Sequence, residues 1–251
     1  AGIFVSMSAG NAGPNTGTSD HPSDDYISVA ASTKDSSFAS GVLEAVEPAP
    51  VPEELKGLNY ASAAFGGAIP PGQVLGPYPY TSSAVVDPTN AEGCNAFPAG
   101  AFAGKAALIL RGTCEFGVKA LNAQDAGATM FIVYNHATGG DELINMGAGA
   151  VGSQVTIPGI FTGNTAGTAL LAWNTDNPDT AKLQISTIAF QIGNTPDVIA
   201  SFSSRGPGVG NVLKPDITAP GVNILAQGYG PGATGEDRHL SFGQASGTSM
   251  A

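Results

Sequence analysis

Basic residues are scarce in this chain of 251 residues: nine Lys and Arg stand against 20 Asp and Glu, which gives a formal net charge of −11. Nucleic-acid-binding domains usually present a concentrated basic face, so this balance predicts no nucleic-acid partner. Long apolar runs are also lacking, and a helix that crosses a bilayer needs about 20 mostly apolar residues in succession. The sequence therefore predicts no membrane span.

Charged residues of either sign are few, at 12% of the chain, whereas glycine and proline are abundant, with 35 and 18 copies. Such a composition predicts many turns and few long helices. The length is sufficient for two compact units, each with its own core.

The segment Gly247-Thr248-Ser249-Met250-Ala251 places a serine hydroxyl among mostly small residues. We interpret it as a helix start, where free backbone N–H groups create a positive field. That field suits a nucleophile whose reaction builds an oxyanion. Serine is also a favoured helix N-cap, so the segment alone leaves a capping role open for Ser249.

A second segment, GIFVSMSAGNAGP at residues 2–14, begins with an apolar run that predicts a short buried strand from Ile3 to Met7. Small residues and then Asn11 between glycines end the run. The side-chain amide of Asn11 could donate a hydrogen bond to developing negative charge. Asparagine is also well suited to a left-handed turn, and that alternative is open as well.

A third segment reads VIASFSSRGP at residues 198–207 and LKPDITAPGV at residues 213–222. The three segments occur along the chain in the order 2–14, 198–222 and 247–251, and together they resemble the catalytic module of subtilisin-like serine peptidases (subtilases). The resemblance implies an α/β fold, with these segments forming part of a three-layer domain built on a parallel sheet. The run Ile3 to Met7 would be a central strand, and the helix at Ser249 would lie behind the sheet.

The resemblance also assigns roles to single residues. Ser249 matches the nucleophile and Asn11 the side-chain donor of the oxyanion hole, with the backbone N–H of Ser249 as second donor. Ser8, Ala9 and Gly10 match a wall of the primary specificity pocket. Their small size predicts room for a large apolar substrate side chain, and protein or peptide substrates are the partners that the resemblance implies.

The catalytic partners of the nucleophile are missing. A subtilase orders its triad Asp, His, Ser along the chain, and neither the family's Asp-Thr/Ser-Gly turn nor its His-Gly-Thr-His segment occurs here. The three histidines, His21, His136 and His239, stand in other contexts, and we interpret His239 as a surface residue of a hairpin. We therefore expect the Asp and His upstream of Ala1, and an incomplete fragment that does not hydrolyse peptides alone.

A long insertion separates the second segment from the third. Its centre predicts a strand at 106–110, an amphipathic helix from Glu115 to Ala126 and a strand from Thr129 to Tyr134, which is a right-handed strand–helix–strand unit. The Pro- and Glu-rich stretch from Glu44 to Lys56 predicts a linker or an edge region.

The sequence RGTCEF at residues 111–116, followed by Lys119, resembles a protease-associated (PA) domain, and Ile157 to Phe161 resembles the end of one. Cucumisin-like and lactocepin-like subtilases carry a PA domain at this point. The resemblance divides the chain into a discontinuous peptidase domain, 1–41 and 193–251, interrupted by a smaller α/β PA domain, 42–192, with mixed or antiparallel strands.

The insertion offers no convincing catalytic or metal cluster. Arg111, Lys119 and Asp125 are explained by a strand end and an amphipathic helix face. The adjacent acids Asp141 and Glu142 lack the spaced ligands of a calcium loop. We predict no metal site and no cofactor; structural calcium occurs in the family, but this sequence does not indicate it.

The only cysteines are Cys94 and Cys114, on either side of the strand at 106–110. They would form a disulfide in an extracellular protein and remain free thiols in a cytosolic one. Since the resemblance implies a secreted, extracellular protein, we expect the disulfide.

The leading hypothesis is a secreted serine endopeptidase that forms an acyl-enzyme on Ser249. A non-catalytic binding module based on the PA domain and a degenerate peptidase are the alternatives. The pair Ser249 and Asn11 favours the peptidase, because a binding module has no use for it.

Overall fold

The computed structural model describes residues 2–21, 23–227 and 242–251, and it divides them into two compact units. The first unit comprises the described residues up to 37, residues 191–227 and residues 242–251. The second unit comprises residues 38–190. Both contain β-strands, and the second also contains α-helices, so the expectation of an α/β protein is confirmed at this level.

The described strands, in chain order, are β1 Ser6–Ser8, β2 Ile27–Ser32, β3 Ser36–Ala39, β4 Gly41–Glu47, β5 Leu58–Ser62, β6 Val74–Ser82, β7 Ala106–Leu110, β8 Met130–Tyr134, β9 Gly159–Thr162, β10 Lys182–Ser186, β11 Phe190–Gly193, β12 Ile217–Pro220, β13 Ile224–Gln227 and β14 Phe242–Ala245. The α-helices are α1 Ser83–Val86, α2 Phe116–Asp125 and α3 Asn164–Asp176. Short 3-10 turns lie at Glu53–Leu55, Pro88–Asn90, Ala137–Gly139, Gly152–Gln154 and Val209–Asn211.

The first unit contains a parallel sheet in the order β1, β2, β12. Strand β2 is its centre and carries the buried residues Val29, Ala30 and Ala31. Parallel strands covered on both faces read as continuous apolar runs, which fits this segment.

The strand expected from Ile3 to Met7 is wrong in its bounds. The observed strand β1 begins at Ser6, opposite Ile27, and its described neighbour is β2 alone. Ile3 and Phe4 are each 78% exposed. Because β2 itself begins at Ile27, the ladder has no partner residues with which to extend back to Ile3.

An antiparallel pair, β13 with β14, leads the chain into residues 247–251 of the first unit. Residues 247–250 make one turn, closed by the bond from Met250 N–H to the Gly247 carbonyl at 3.0 Å, and the helix expected at Ser249 stays a prediction.

The second unit is built on a closed seven-stranded barrel in the order β10, β4, β5, β9, β8, β7, β6. The pairs along β9, β8, β7 and β6 are parallel, and the remaining pairs are antiparallel. The prediction of mixed strands in this region is therefore confirmed. Closure leaves no free edge among these seven strands.

The predicted strand–helix–strand unit is confirmed as β7, α2 and β8, with β7 parallel to β8. Side chains alternate across β7: Ala106 and Leu108 face one apolar cluster, whereas Ala107 and Ile109 face a second. Ala123 of α2 belongs to the second cluster, so the helix covers one face of the strand.

The interpretation of Glu44 to Lys56 as a linker or edge region is wrong for its first part. Residues Gly41–Glu47 form β4, which is paired on both sides by β10 and β5. Leu43 and Ala45 are buried in the barrel core, and Val42, Glu44 and Val46 are less buried. This alternation of buried and less buried positions is the strand pattern.

Candidate functional site

Asn11 and the segment 247–251 meet within the first unit. The side-chain oxygen of Asn11 accepts two hydrogen bonds from Thr248, one from its backbone N–H at 3.0 Å and one from its hydroxyl at 3.1 Å. Thr248 is 2% exposed, whereas its neighbour Ser249 is exposed. The side-chain amide of Asn11, the expected oxyanion donor, therefore contacts the residue directly before Ser249, the expected nucleophile.

The orientation of the Asn11 amide follows from these bonds. A backbone N–H only donates, so the group facing Thr248 must be the amide oxygen. The Asn11 NH₂ group makes no hydrogen bond with the described residues, and the side chain is exposed. Two donors on this amide are thus available to another group.

One of the two open alternatives is excluded, the left-handed turn at Asn11. Within the described part of the chain, the non-glycine residues with positive φ are Asp197, Asn211 and Asn223, so Asn11 is not a left-handed turn residue. A capping role of Ser249 stays a prediction.

The serines of the third segment hold the loop that carries Asn11. Ser204 Oγ accepts a hydrogen bond from Ala12 N–H at 3.0 Å, and Ser204 N–H donates to the Gly10 carbonyl at 2.9 Å. Gly13 N–H donates to the Phe202 carbonyl at 2.9 Å. A Cβ at Gly13 would collide with the Ser203 carbonyl, so the close approach of these two backbone segments requires glycine. Sequence reasoning quoted this segment but assigned Ser204 no role.

Ser8, Ala9 and Gly10 form the backbone that leads to Asn11. Ala9 is fully buried and its N–H donates to the Val29 carbonyl of β2 at 2.9 Å. Gly10 has a φ of 100°, a conformation that side chains strongly disfavour, and its N–H donates to Thr248 Oγ at 3.2 Å. The loop therefore turns at Gly10, directly before Asn11.

Residues 247–251 are anchored independently of Asn11. Gly247 N–H donates to the Gly221 carbonyl at 2.8 Å. Ser246 Oγ accepts from Asn223 N–H at 2.8 Å, and Ala251 packs against the small cluster of Ala31, Ala200 and Val222. The anchors on both sides of Ser249 fix its backbone while its side chain remains exposed.

Lys214 and Asp216 of the third segment support the sheet below this site. The buried Lys214 ammonium donates to Asp216 Oδ2 at 2.6 Å and to the Tyr26 carbonyl at 3.1 Å. The same carboxylate oxygen accepts from Ser28 N–H at 2.7 Å, which ties β2 to the start of β12. The hydrogen bond from Lys214, with that from Ser28, lowers the pKa of Asp216.

The described histidines have other partners. His21 Nδ1 lies 2.7 Å from the Ser8 carbonyl, to which it donates. His136, in the second unit, accepts at Nδ1 from Gly139 N–H at 2.9 Å. His239 lies outside the described residues.

In the second unit Cys94 and Cys114 form the expected disulfide, with their Cα atoms 5.7 Å apart. The fully buried Lys119 donates to the Glu92 carbonyl at 2.6 Å and lies 3.8 Å from Cys94 Sγ. Burial lowers the pKa of Lys119 to about 8. Sequence reasoning placed Lys119 on an amphipathic helix face, but its ammonium is covered by the loop that ends at Cys94.

The other residues considered in the insertion have structural contacts. Arg111 donates to Asn135 Oδ1 at 3.0 Å, and Asp141 accepts from Thr165 N–H at 2.7 Å in the first turn of α3. Burial raises the pKa of Glu142. Over the described ranges, no group of three or more His, Cys, Asp and Glu residues is placed to hold a metal ion.

None of the helices in the described ranges is long and apolar enough to cross a bilayer.

Comparison with known families locates the PA domain within the second unit, since the family model of the PA domain matches residues 80–170. Subtilisin-like protease SBT1.6 of Arabidopsis thaliana is 33% identical over 266 aligned residues, and subtilisin-like protease SBT1.7 of the same plant is 32% identical over 263. Both alignments cover 100% of this chain, and they cover 31% and 32% of the two relatives. The chain thus spans about a third of the length of the curated relatives it matches.

Among solved structures, the psychrophilic subtilisin-like protease Apa1 from the Antarctic psychrotroph Pseudoalteromonas sp. AS-11 is similar to 77% of this chain. The aligned part is 48% of that protein, with 16% sequence identity and a TM-score of 0.37.

Proposed function

Since the chain belongs to the subtilisin-like protease family and carries a PA domain, we propose that it supplies the nucleophile and an oxyanion donor of a serine endopeptidase. The observation that supports this assignment is the pair of bonds between Asn11 and Thr248. They hold the amide oxygen away from any substrate and leave the amide NH₂ available beside the exposed Ser249.

In the proposed reaction, Ser249 Oγ attacks the carbonyl carbon of the scissile peptide bond and forms a tetrahedral intermediate. The Asn11 NH₂ and the backbone N–H of Ser249 donate to its oxyanion. Collapse of the intermediate expels the amine and leaves an acyl-enzyme on Ser249, which water then hydrolyses. The proton of Ser249 passes to a histidine and from it to the leaving amine.

We assign that histidine and its orienting aspartate to sequence outside residues 1–251. His21 is bonded to the Ser8 carbonyl, and His136 is bonded within the second unit. The relatives are about three times as long as the aligned region, which is consistent with further catalytic residues elsewhere. A protein consisting of residues 1–251 alone is then expected to be inactive.

The proposal extends to the domains. The first unit would be part of a three-layer peptidase domain whose parallel sheet includes β1, β2 and β12. The second unit, with the barrel as its scaffold, would be the inserted PA domain, with the boundaries placed near residues 42 and 192. Protein or peptide substrates and a secreted location complete the proposal; the disulfide supports an oxidising compartment.

The test is covalent labelling of the full-length protein with a fluorophosphonate, which reacts with an activated serine hydroxyl and releases fluoride. We expect one labelled serine, at Ser249 by peptide mapping, together with hydrolysis of an unfolded protein substrate. Ser249→Ala should abolish both, whereas the matched variant Ser6→Ala, at an exposed serine of β1, should retain both.

Retained hydrolysis in Ser249→Ala would reject the assignment of the nucleophile. A correctly folded full-length protein with neither labelling nor hydrolysis would favour a degenerate peptidase or a non-catalytic binding module built on the PA domain.

A further inference from the structure

Asp20, to which the sequence motifs assign no role, lies against the wall formed by Ser8, Ala9 and Gly10. A Cβ added to Gly10 would collide with the carboxylate of Asp20 and with Ser204 Oγ. The carboxylate therefore occupies the space that the missing side chain of Gly10 leaves open, one residue before Asn11. Asp20 N–H donates to the Ala9 carbonyl at 3.0 Å, which fixes the backbone of Asp20 to the same wall.

The Asp20 carboxylate has no structural task among the described residues. It accepts no hydrogen bond and forms no ion pair there, and the residue is exposed. A carboxylate that caps a turn or pairs with a cation would show such a partner. Its charge is thus free to act on a group that arrives from outside the protein.

The sign of that charge matters for the proposed chemistry. A negative charge near the Asn11 amide opposes the oxyanion that this amide is proposed to stabilise, since like charges repel. A cation on the substrate, placed between the Asp20 carboxylate and the oxyanion, removes this repulsion. The cation is itself attracted by both negative charges. Lysine and arginine side chains supply that cation at the end of an apolar stem, which small wall residues can accommodate.

We propose that Asp20 is a specificity-determining residue that selects substrates with Lys or Arg at the position whose carbonyl Ser249 attacks. This inference rests on the proposed peptidase function. It replaces the large apolar side chain expected from the size of Ser8, Ala9 and Gly10, because size alone carries no information about charge.

The test uses the full-length protein and a series of fluorogenic peptides that differ only at this position, with Lys, Arg, Leu, Phe or Glu. We expect kcat/KM to be highest for Lys and Arg. In Asp20→Asn, which keeps the shape of the side chain, the ratio of kcat/KM for Lys to that for Leu should fall by about tenfold to a hundredfold, the range for loss of a hydrogen bond to a charged group.

Two further variants separate the charge from structural effects. Asp20→Glu keeps the charge and should keep the preference for Lys and Arg. Asp25→Asn removes another exposed aspartate of the first unit and should leave the Lys-to-Leu ratio unchanged. In Asp20→Asn the kcat for the Leu substrate should rise, since the repulsion of the oxyanion is removed; a variant damaged in its fold would lose activity on every substrate.

The outcomes are distinguishable. Hydrolysis with an apolar preference that Asp20→Asn does not alter would overturn the role of Asp20 and leave the peptidase assignment standing. Absence of hydrolysis of every peptide in the series, together with absence of fluorophosphonate labelling, would remove the peptidase assignment and this inference with it.

Discussion

The oxygen of the Asn11 side chain receives two hydrogen bonds from Thr248, although the two residues are 237 positions apart in sequence. Both donors belong to the residue before Ser249, so the relationship couples the orientation of the amide to the backbone that carries the proposed nucleophile. A shift of one would move the other. This coupling is the basis of the first two predictions.

Asn11→Asp separates the two ends of the amide. A carboxylate can still accept both bonds from Thr248, but it has no NH₂ to donate, and it adds a negative charge. We expect kcat to fall by at least the roughly hundred- to thousandfold seen when one such donor is removed from a subtilisin. The measurement is steady-state hydrolysis of a single peptide by the full-length variant, with Asn11→Ala for comparison.

In both Asn11 variants the substrate affinity should change less than kcat, because the oxyanion exists only beyond the ground state. A variant Asn11→Asp with normal turnover would show that the amide is present to hold Thr248 and takes no part in catalysis.

Thr248→Val removes the hydroxyl but keeps the shape of the side chain. It deletes one of the two bonds to Asn11 and leaves the buried Gly10 N–H without its acceptor, a loss of about 1–3 kcal/mol in the free energy of unfolding. The remaining bond from the backbone N–H should still hold the amide, so kcat should fall by only about tenfold. Denaturant unfolding and turnover are to be measured on the same preparation.

Thr248→Ser provides the matched control, because it keeps the hydroxyl and loses one methyl group. It should retain turnover within about a factor of two. A loss of turnover in Thr248→Ser as large as in Thr248→Val would contradict the assignment of the effect to the hydroxyl.

Because Lys119 is buried, we expect the stability of the second unit to rise with pH. The pKa of Lys119 is about 8 in the folded chain, against 10.5 for an unperturbed lysine. Between these values the unfolded chain binds one more proton, so raising the pH favours the folded state; below pH 8 both states are charged and the cost of burying the ammonium is constant. Unfolding by urea at pH 7.5, 9 and 10 should show the rise.

Lys119→Met should flatten this dependence, and Lys56→Met, at a more exposed lysine of the same unit, should not. The rise in stability with pH ends near pH 10, where the tyrosines of the unfolded chain ionise. Burial raises the pKa of Tyr60 to about 12 and also raises the pKa of Tyr80, which opposes further stabilisation. An unchanged slope in Lys119→Met would contradict the assignment.

The disulfide between Cys94 and Cys114 closes a loop with a sequence separation of 20. By the chain-entropy argument, a loop of this length stabilises the second unit by about 3 kcal/mol. The double variant Cys94→Ser with Cys114→Ser should lose that amount in urea unfolding. Dithiothreitol should destabilise the original protein similarly and leave the double variant unaffected; a loss below about 1 kcal/mol would refute the loop-closure account.

Local patterns predicted much of the second unit well. The strand at 106–110, the helix that follows it and the next strand were each visible from periodicity, since their side-chain pattern is set by the local backbone. The stretch from Glu44 to Lys56 was misread because its Pro and Glu content suggested a linker. Only its partners β5 and β10 show that Gly41–Glu47 lies inside a barrel.

The candidate site, too, was predictable from the sequence only in part. Ser249 and Asn11 were identified from sequence because each sits in a short, distinctive segment, but Thr248, Ser204 and Asp20 were given no role. Their positions beside Asn11 and Gly10 depend on hydrogen bonds and close contacts between residues far apart in the chain, and no local periodicity encodes such contacts.

The order of residues by itself determined the family, the chemical types available for the reaction and the position of the disulfide cysteines, because these depend on short segments and their spacing. The tertiary structure alone decided that Asn11 meets Thr248, that Gly10 makes room for Asp20, and that the strands of the second unit close on themselves. These features require pairing across long stretches of chain, where the gain in packing and hydrogen bonding must exceed the entropy lost in closing each loop.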